Sequence, residues 1–375
     1  MRKEKRQPRI LIIRLSSIGD VLFCTPVAET LREFYPQGYL AWLVEEKSKE
    51  VVEGNPFLDE VIVWQRLRWQ KDRSQMGLLR FLGKHLGFFW QLRRKDFDIV
   101  LDLQGMSRSA LASWLTAARQ RIGFQDSIEM AQLAYNGWIT VPPSASHVSK
   151  EYLLAASYLG ATPANPAMTV PFTEQDRLSA FHVLASALGS SNSQPSPTGP
   201  PPPFAAFCPA ASRPHNHWPA DRFAQVADWV SEELSITPVF FGAAQDAAYI
   251  ESIRSACRRP TVSLAGKTSL KEATALLASS QLIVGADTGL THMAATFGRP
   301  VVALFGPGGV NYEPRGPFHE TVRADRDCGP CSTSRHCAEN YKCMQDIQPQ
   351  PVIAAIRRVM VAQRVLRAVE RQGKQ

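Results

Sequence analysis

Short apolar segments alternate with amphipathic ones twice along this chain, on either side of a stretch that cannot pack. The first series has strand-like segments at 10–13, 39–44, 60–64 and 98–103, and the second at 204–208, 238–242, 282–285 and 301–305. Between them, residues 188–203 read LGSSNSQPSPTGPPPP, a composition that forms no packed helix or strand. Strands that alternate with helices indicate βαβ units and parallel sheets.

The two series predict an α/β protein with two doubly wound, Rossmann-like domains that face each other across a cleft. We expect an N-terminal domain at 1–187, a linker or long exposed loop at 188–203, a C-terminal domain at 204–350, and a terminal helix and tail at 351–375. A chain of 375 residues is long enough for two such domains. In doubly wound sheets ligands bind beyond the carboxyl ends of the strands, so the loops there are the candidate sites.

The segment LIVGADTGLTHMAATFG, residues 282–298, contains one such joint between a strand and a helix. Asp287, Thr288 and Gly289 follow the apolar strand, and apolar residues then recur at helical spacings of three and four. The free N–H groups of a helix N-terminus attract anions, phosphate above all. Alternatively, Asp287 or Thr288 only caps the helix, and this segment alone does not decide between the two interpretations.

The loop after the first strand, RLSSIGD at residues 14–20, raises the same choice. Gly19 lets the backbone approach a ligand or take an unusual turn. Asp20 stands where the next helix begins, which is typical of a helix cap. As a functional residue it would be a carboxylate at the mouth of the cleft that accepts a proton from a hydroxyl.

Two loops in the second series carry polar residues as well. Residues 208–219, CPAASRPHNHWP, offer donors without acidic partners, which suits a phosphate. The two histidines of this loop have no nearby Cys or acid, so they are a weak metal signal. Residues 241–246 end in Asp246, which either caps a helix or holds a ribose hydroxyl pair.

Glycine patterns exclude two common nucleotide sites. No G-x-G-x-x-G follows the first strand, which disfavours a nicotinamide oxidoreductase, and no G-x-x-x-x-G-K-[ST] is present. The glycine loop FGPGG at 305–309 instead suggests close approach of the backbone to a ligand in the second half of the chain.

Taken together and in order, these segments resemble the glycosyltransferase family 9 proteins, the ADP-heptose–lipopolysaccharide heptosyltransferases. The similar segments are RILIIRLSSIGDVLFCTPVAETLREFYP, WLVEEKSKEVVEGNPFLDEVI, DIVLDLQGMSRSALASWLTAARQRIGF, HWPADRF, FFGAAQD and LIVGADTGLTHMAATFGRPVVALFGP. The resemblance covers almost the whole chain. It implies a GT-B type fold and inverting transfer of a heptose from ADP-heptose to a lipopolysaccharide core acceptor, with no metal, no cofactor and no nucleic acid partner.

The resemblance also implies roles for individual residues. Asp20, in the S-x-G-D loop, matches the general base, and Ser17, Gly19 and Arg108 lie on the acceptor side. The residues that match the donor side are Ser212, Arg213, Asn216, Asp246, Asp287, Thr288, Gly289 and His292. Asn216 departs from the family, which often has a lysine facing the diphosphate here. The alternatives are therefore another nucleotide-sugar or acceptor, or a nucleotide-binding module without transfer activity.

The basic segment 66–95 indicates where the chain meets an anionic partner. The whole chain has a net charge of +8 and a pI near 9.2, and this segment alone has nine Lys or Arg and one acid. It is typical of a basic amphipathic helix on a membrane surface, although a helix packed on the sheet by its apolar side is the alternative. The chain has no apolar run of about 18 residues, and its N-terminus is a poor match to a signal peptide. We therefore expect a cytoplasmic protein, peripheral on the inner face of the inner membrane.

Four of the seven cysteines, Cys328, Cys331, Cys337 and Cys343, have the spacing C-x₂-C-x₅-C-x₅-C. In a cytosolic chain such a cluster suggests a small Zn or Fe–S site. The two longer gaps do not fit a standard zinc ribbon, so free thiols or an occasional disulfide are the favoured interpretation.

Overall fold

A computed structural model describes residues 6–143, 147–162, 164, 166–189, 201–211, 213–306, 309–326, 328, 337 and 341–372 of the chain. The chain divides into two compact units, Met1–Pro171 and Phe172–Gln375. Each unit contains one six-stranded parallel sheet.

The sheet of the first unit has the strand order β3-β2-β1-β4-β5-β6, and every pair in it is parallel. Its strands are β1 (Arg9–Ile13), β2 (Tyr39–Glu45), β3 (Glu60–Trp64), β4 (Ile99–Asp102), β5 (Gln120–Phe124) and β6 (Gly137–Ile139). The first four strands, β1 to β4, agree with the sequence prediction. The last two strands, β5 and β6, were not predicted, because β5 begins with polar Gln120 and Arg121 and β6 has only three residues.

The helices of the first unit follow the strands. They are α1 (Ile18–Phe34), α2 (Lys49–Val52), α3 (Arg66–Lys71), α4 (Arg73–Met76), α5 (Leu78–Arg93), α6 (Ser107–Leu115) and α7 (Val148–Tyr158). The basic segment thus forms three helices, of which α5 is the longest. A 3₁₀ helix, Ala131–Ala134, joins β5 to β6 and packs on α6 through Ala110, Ala131 and Tyr135.

The sheet of the second unit has the order β12-β11-β10-β7-β8-β9 and is also parallel. Its strands are β7 (Phe204–Cys208), β8 (Thr237–Phe240), β9 (Val262–Ser263), β10 (Leu282–Ala286), β11 (Val301–Leu304) and β12 (His319–Val322). Counted within each unit, both sheets have the doubly wound order 3-2-1-4-5-6. The order reverses between β1 and β4 in one sheet and between β7 and β10 in the other, and such switch points are where ligands bind.

The helices of the second unit begin before the linker. They are α8 (Glu174–Ala187), α9 (Ala220–Leu234), α10 (Ala247–Ala256), α11 (Leu270–Ser279), α12 (Gly289–Ala295), α13 (Lys342–Asp346) and α14 (Pro349–Gln372). Phe181 and Leu184 of α8 lie in one apolar cluster with Leu276 of α11. The structural division after Pro171 therefore differs from the boundary predicted after residue 187, because α8 packs with the second unit.

Both faces of the second sheet are covered, which explains its continuously apolar strands. Along β7, Phe207 points to the cluster that contains residues of α9, α10 and α14, while Phe204 points to the cluster with α8 and α11. The terminal helix α14 packs on α9, β11 and β12 and thus belongs to the second unit. Within the described residues, no helix combines the length and the apolar character needed to cross a membrane.

Candidate active site

In the first unit, the loop after β1 begins α1 and holds Asp20 in the first helical turn. Ser17 is the N-cap residue, and its backbone N–H and hydroxyl donate to Oδ2 of Asp20 at 3.1 and 2.9 Å. The same oxygen is 2.9 Å from Nη2 of Arg14. Asp20 therefore does have the capping contact that the sequence allowed. All three contacts involve one carboxylate oxygen, and Oδ1 has no hydrogen-bond partner among the described residues.

Arg14, which orients Asp20, is itself held by the end of β4. Its Nη1 donates to the backbone oxygen of Leu103 at 2.5 Å, and its guanidinium lies 5.2 Å from the ring centre of Tyr152. Burial alone would lower the pKa of Arg14, but nearby Tyr152 and Asp20 raise it above its ordinary value. The Arg14 guanidinium is therefore a permanent cation beside the carboxylate.

Gln104 links the two loops at this switch point. Its Oε1 accepts hydrogen bonds from the backbone N–H groups of Leu15 and Ser16 at 3.0 and 3.3 Å. No local pattern singles out Gln104, because its position beside the first strand depends on the strand order.

Asp102, at the end of β4, is fully buried and anchors the turn beneath Gln104. Its Oδ1 accepts from the N–H groups of Gln104 and Gly105 at 2.9 and 3.2 Å, and its Oδ2 accepts from the Tyr135 hydroxyl at 2.7 Å. Burial raises the pKa of Asp102, while these hydrogen bonds oppose the rise. Gly105 has φ +66°, and a Cβ there would lie 2.8 Å from the Ser127 hydroxyl, so this turn requires glycine.

A cavity of about 330 Å³ opens beside Arg14 at the carboxyl edge of the first sheet. Its walls include Gln104, Asp126, Glu151 and Tyr152, which offer hydrogen-bond acceptors and an aromatic ring. Such a lining suits a ligand that is rich in hydroxyl groups.

The predicted acceptor-side residues Ser17, Gly19 and Arg108 lie in the loops and first turns at this same edge. Ser17 is engaged with Asp20, as described above. The Nε atom of Arg108 is buried and has no hydrogen-bond partner within the described ranges.

In the second unit, the predicted donor turn forms the joint between β10 and α12. Thr288 is the N-cap residue of α12 but makes no side-chain capping hydrogen bond. Asp287 also does not cap, because its Oδ1 lies 3.1 Å from Nε2 of buried His292. The capping alternative is therefore not what the structure has at this joint, and the Asp287–His292 pair stands at the N-terminus of Gly289–Ala295.

Gly285 sets how closely α12 approaches the sheet. A Cβ at Gly285 would clash with the Thr291 hydroxyl and would lie 3.1 Å from Cβ of Cys208. The strand β10 has glycine here because α12 and β7 both crowd this position. Within the apolar strand, Gly285 gave no local signal of this role.

The loop after β7 lies at the other side of this switch point and is pinned by aromatic stacking. His215 stacks on Tyr341 with ring centres 4.1 Å apart, and His217 stacks on Tyr249 at 4.3 Å. Burial, with a contribution from nearby Arg213, lowers the pKa of His215. Both histidines therefore have a packing role in this loop.

Three predicted donor residues belong to this loop. Asn216 ends a 3₁₀ turn, and its Oδ1 is buried without a hydrogen-bond partner among the residues described. Arg213 is exposed at the start of the turn, and its backbone oxygen accepts from the N–H of Asn216 at 2.9 Å. Ser212 lies outside the described residues.

Asp246 follows β8 and caps the turn that begins α10. Its Oδ2 accepts from the backbone N–H of Ala243 at 2.8 Å. A Cβ at Gly242 would lie 3.1 Å from Cβ of Asp246 and 2.7 Å from Ile250, so glycine is needed for this packing. The ribose role of Asp246 stays a prediction beside this observed capping role.

Arg323 is a basic residue at the carboxyl end of β12 that the sequence analysis missed. Its guanidinium lies 5.0 Å from the ring centre of Phe305, whose ring in turn contacts His292 edge-on at 6.1 Å. Its Nε donates to Glu313 at 3.0 Å. The prediction failed here because β12, His319–Val322, carries too many polar residues to stand out as a strand.

The glycine loop after β11 has a packing reason at its first glycine. A Cβ at Gly306 would lie 2.5 Å from Cγ of Met344, so Gly306 makes room for α13. Residues 307 and 308 lie outside the described part of the chain, and the predicted backbone approach to a ligand stays a prediction.

Only part of the predicted cysteine cluster lies within the described residues. Cys331 lies outside the described residues, Cys328 is exposed, and the sulfur of Cys337 accepts from the N–H of Tyr341 at 3.3 Å. Within the described ranges, no group of three or more His, Cys, Asp or Glu side chains is arranged to hold a metal ion.

Comparison with known proteins gives a consistent result. Residues 86–342 match the family described as Glycosyltransferase family 9 (heptosyltransferase). The "Lipopolysaccharide core heptosyltransferase OpsX" of Haemophilus influenzae is 25% identical over 363 residues, which cover 93% of this chain and 96% of that protein.

Two solved structures have the same fold. The glycosyl transferase family 9 protein from Veillonella parvula superposes with a TM-score of 0.77 at 23% identity, over 94% of this chain and 97% of that one. Escherichia coli heptosyltransferase WaaC with ADP superposes with a TM-score of 0.70 at 21% identity, over 94% and 99%. These similarities confirm the predicted two-domain α/β fold class.

Proposed function

The chain belongs to glycosyltransferase family 9, and we propose from this membership that it transfers a heptose from ADP-heptose to a lipopolysaccharide core acceptor. The similarity to the lipopolysaccharide core heptosyltransferase OpsX and the fold shared with WaaC support this assignment. The observation that carries the proposal is the arrangement of Asp20, which is oriented through one oxygen and leaves the other for a substrate.

In this proposal Asp20 is the general base. Arg14 and Ser17 hold Oδ2, so Oδ1 can accept the proton of an acceptor hydroxyl as that oxygen attacks the anomeric carbon. The bond from the acceptor oxygen to the anomeric carbon forms while the bond from that carbon to the ADP oxygen breaks. Attack opposite to the leaving group inverts the anomeric configuration, and ADP leaves with the bonding electrons.

We assign the ADP moiety to the carboxyl edge of the second sheet. Thr288 and Gly289 begin α12 without a side-chain cap, so the backbone N–H groups of this turn can donate to a phosphate. His292 is held by Asp287 behind the turn, and Asp246 would receive the ribose hydroxyls. Hydrogen-bond donors that face the developing charge on the leaving diphosphate would stabilise the transition state.

Substitution of Asp20 tests the base and separates it from the capping role. Asp20→Asn keeps the size of the side chain but removes the proton acceptor, and we expect turnover to fall by about 10²- to 10⁴-fold. The measurement is kcat with ADP-heptose and a core acceptor, together with stabilisation by ADP, which should remain.

Asp176→Asn is the matched control for this test. Asp176 occupies the same third helical position in α8, where it accepts from the N–H and the hydroxyl of Thr173, both at 2.7 Å. Asp176→Asn should lower the free energy of unfolding by about 1 kcal/mol through the lost capping contact. Asp20→Asn should cost more, because it also leaves the buried Arg14 guanidinium without its carboxylate. If Asp20→Asn lowers stability while turnover survives, Asp20 is only a cap and the chain fits the non-catalytic module.

We also propose that residues 66–95 contact the inner face of the inner membrane, where a lipid-linked acceptor would be presented. The charge distribution supports this contact. The chain has 42 Lys and Arg, of which nine lie in this segment, and 34 Asp and Glu, of which one lies there. The rest of the chain therefore has 33 basic and 33 acidic residues. The net positive charge of the chain is therefore confined to this segment, and anionic lipids attract such a segment.

A further inference from the structure

The helix α5 is apolar on two sides, and the sheet explains only one of them. Phe88, Phe89 and Leu92 pack toward Trp64 and Trp69 in the core of the first unit. This is the alternative that the sequence left open for a basic helix, and it accounts for the inner side alone.

A second apolar stripe on α5 faces away from the core. Leu78, Leu82, Leu86 and Trp90 recur every four residues, and all four side chains are exposed. At about 100° per residue, the inner and outer stripes together span more than half of the helix circumference. Scattered exposed apolar side chains are ordinary, but a contiguous exposed stripe marks an interaction surface.

The stripe continues onto α6. Leu115 of α6 lines a cavity of about 490 Å³ together with Leu86 and Trp90 of α5. Trp114, which is 57% exposed, and Leu111, which is 49% exposed, lie on α6 between its Leu115 side and its Ala110 side. Two large apolar side chains thus extend the surface beyond the basic segment.

The far side of α6 leads to the 3₁₀ helix between β5 and β6. Ala110 of α6 packs against Ala131 in this 3₁₀ helix. On the surface next to this contact, Met130 is 78% exposed and Leu133 is 82% exposed. The exposed apolar surface therefore runs from α5 across α6 to residues 130–133, all within the first unit.

We propose that this continuous surface, which we call the α5–α6 face, is inserted into the interface of an anionic lipid bilayer. Charge complementarity identifies the occupant. Arg80, Lys84 and Arg93 are exposed on α5, and the segment 66–95, which includes α5, carries the whole net charge of the chain. An apolar surface bordered by basic side chains is the pattern of an interfacial membrane element. A second copy of this chain would carry the same positive charge, which disfavours self-association through this face.

This membrane contact deepens the proposed function, and its consequence for the acceptor rests on that proposed function. Ile128, two residues before Met130, is exposed and also lines the cavity beside Arg14. Docking of the α5–α6 face would bring this cavity to the bilayer surface. A sugar attached to a membrane lipid would then reach the loop that contains Asp20 without leaving the membrane.

The test uses the full chain and vesicles of phosphatidylethanolamine with phosphatidylglycerol. The double variant Met130→Ser with Leu133→Ser removes apolar side chains outside the basic segment. We expect its partition coefficient for these vesicles to fall about tenfold, because two exposed apolar anchors are lost. In the unmodified chain, binding should weaken toward about 1 M salt, and pure phosphatidylcholine vesicles should bind little.

The matched control is Val361→Ser with Val365→Ser on α14, where both valines are 57% exposed in the second unit. This control should bind vesicles like the unmodified chain. Equal partition of the 130/133 variant and the unmodified chain would overturn the inference. So would sedimentation showing that the unmodified chain self-associates and that the 130/133 variant does not.

A soluble, delipidated core acceptor keeps this inference separate from the proposed function. The 130/133 variant should transfer heptose to that acceptor at the unmodified rate, because neither residue lies in the loop of Asp20. Loss of vesicle binding with retained soluble transfer is the expected result. If the unmodified chain transfers nothing to the soluble acceptor, the proposed function fails while the vesicle measurement still decides the membrane contact.

Discussion

Individual residues at the carboxyl edges of both sheets serve the local fold and the proposed chemistry at once. Asp20 uses one oxygen for Ser17 and Arg14, and its other oxygen has no partner among the described residues. Asp246 likewise satisfies the N–H of Ala243. A capping contact and a catalytic role therefore do not exclude each other, because a carboxylate has two oxygens and several lone pairs.

Gly285 gives the sharpest prediction at this scale. Gly285→Ala would push its Cβ into Thr291, so α12 would move away from β10. We expect a loss of about 1–3 kcal/mol in the free energy of unfolding, the usual cost of overpacking, and weaker ADP binding. Urea unfolding and ADP titration measure the two effects.

Thr291→Ala provides the rescue, because it removes the group with which the new Cβ collides. The Thr291 hydroxyl is buried without a hydrogen-bond partner within the described residues, so this change alone should cost little. The double variant should regain most of the lost stability and ADP affinity. Gly87→Ala on α5, where a Cβ meets nothing within 4 Å, should not destabilise the chain. Additive effects of Gly285→Ala and Thr291→Ala would contradict this explanation.

Asn216 stands where the family resemblance leads us to expect a lysine. Asn216→Lys would place a cation at the end of the loop after β7, and we expect ADP to bind about 3- to 10-fold more tightly through a charge-assisted contact. Isothermal titration at low and high salt measures the gain, which should shrink with salt. Asn216→Met is the neutral control. An equal effect of Lys and Met would mean that the side chain at position 216 does not face the diphosphate.

At the scale of elements, a buried polar contact joins the end of β4 to Tyr135, which directly follows the 3₁₀ helix between β5 and β6. The Tyr135 hydroxyl donates to Asp102, and the Tyr135 ring covers Gly123 so closely that a Cβ there would clash. Burial, reinforced by the Asp102 charge, raises the pKa of Tyr135, which keeps it protonated as a donor. This contact holds the turn that orients Gln104 and, through it, the loop after β1.

Tyr135→Phe should destabilise the chain by about 1–3 kcal/mol, because it leaves an oxygen of buried Asp102 without a donor. The cost should depend on pH. Burial already raises the pKa of Asp102, and loss of the hydroxyl raises it further, so the stabilisation present at acid pH is lost as pH rises through the folded value. The deficit should therefore be larger near about pH 8 than near about pH 5.

Urea unfolding at the two pH values measures this difference, with Tyr158→Phe as the control. Tyr158 is half-exposed at the end of α7, and its loss of a hydroxyl should cost little at either pH. A deficit for Tyr135→Phe that is the same at both pH values would mean that Asp102 does not carry the effect.

At the scale of the whole molecule, nucleotide selectivity tests the assignment of the second unit. We expect ADP to raise the melting temperature more than UDP, GDP, CMP or NAD at equal concentration, because a ligand stabilises the state that binds it. Preference for UDP or GDP would leave the fold and the proposed role of Asp20 unaffected but would contradict ADP-heptose as the donor. No shift with any nucleotide would favour the non-catalytic module.

Much of this architecture could be predicted from the sequence because local patterns determine it. The strands Phe204–Cys208 and Glu60–Trp64, for example, were predicted at their observed bounds. Strands buried on both faces are apolar throughout, so they can be recognised from the sequence alone. The strands β5, β6, β9 and β12 lie at or next to a sheet edge and were missed because they are short or polar.

The sequence by itself determined the fold class, the family and the loops in which Asp20, Asp246 and Asp287 lie, because these depend on the order of residues along one strand and one turn. Only the tertiary structure decided which loops meet. It brought Gln104 and Arg14 together at one switch point, and it left the outer side of α5 uncovered. Contacts between residues far apart in the chain depend on strand order and helix packing, which no local pattern encodes.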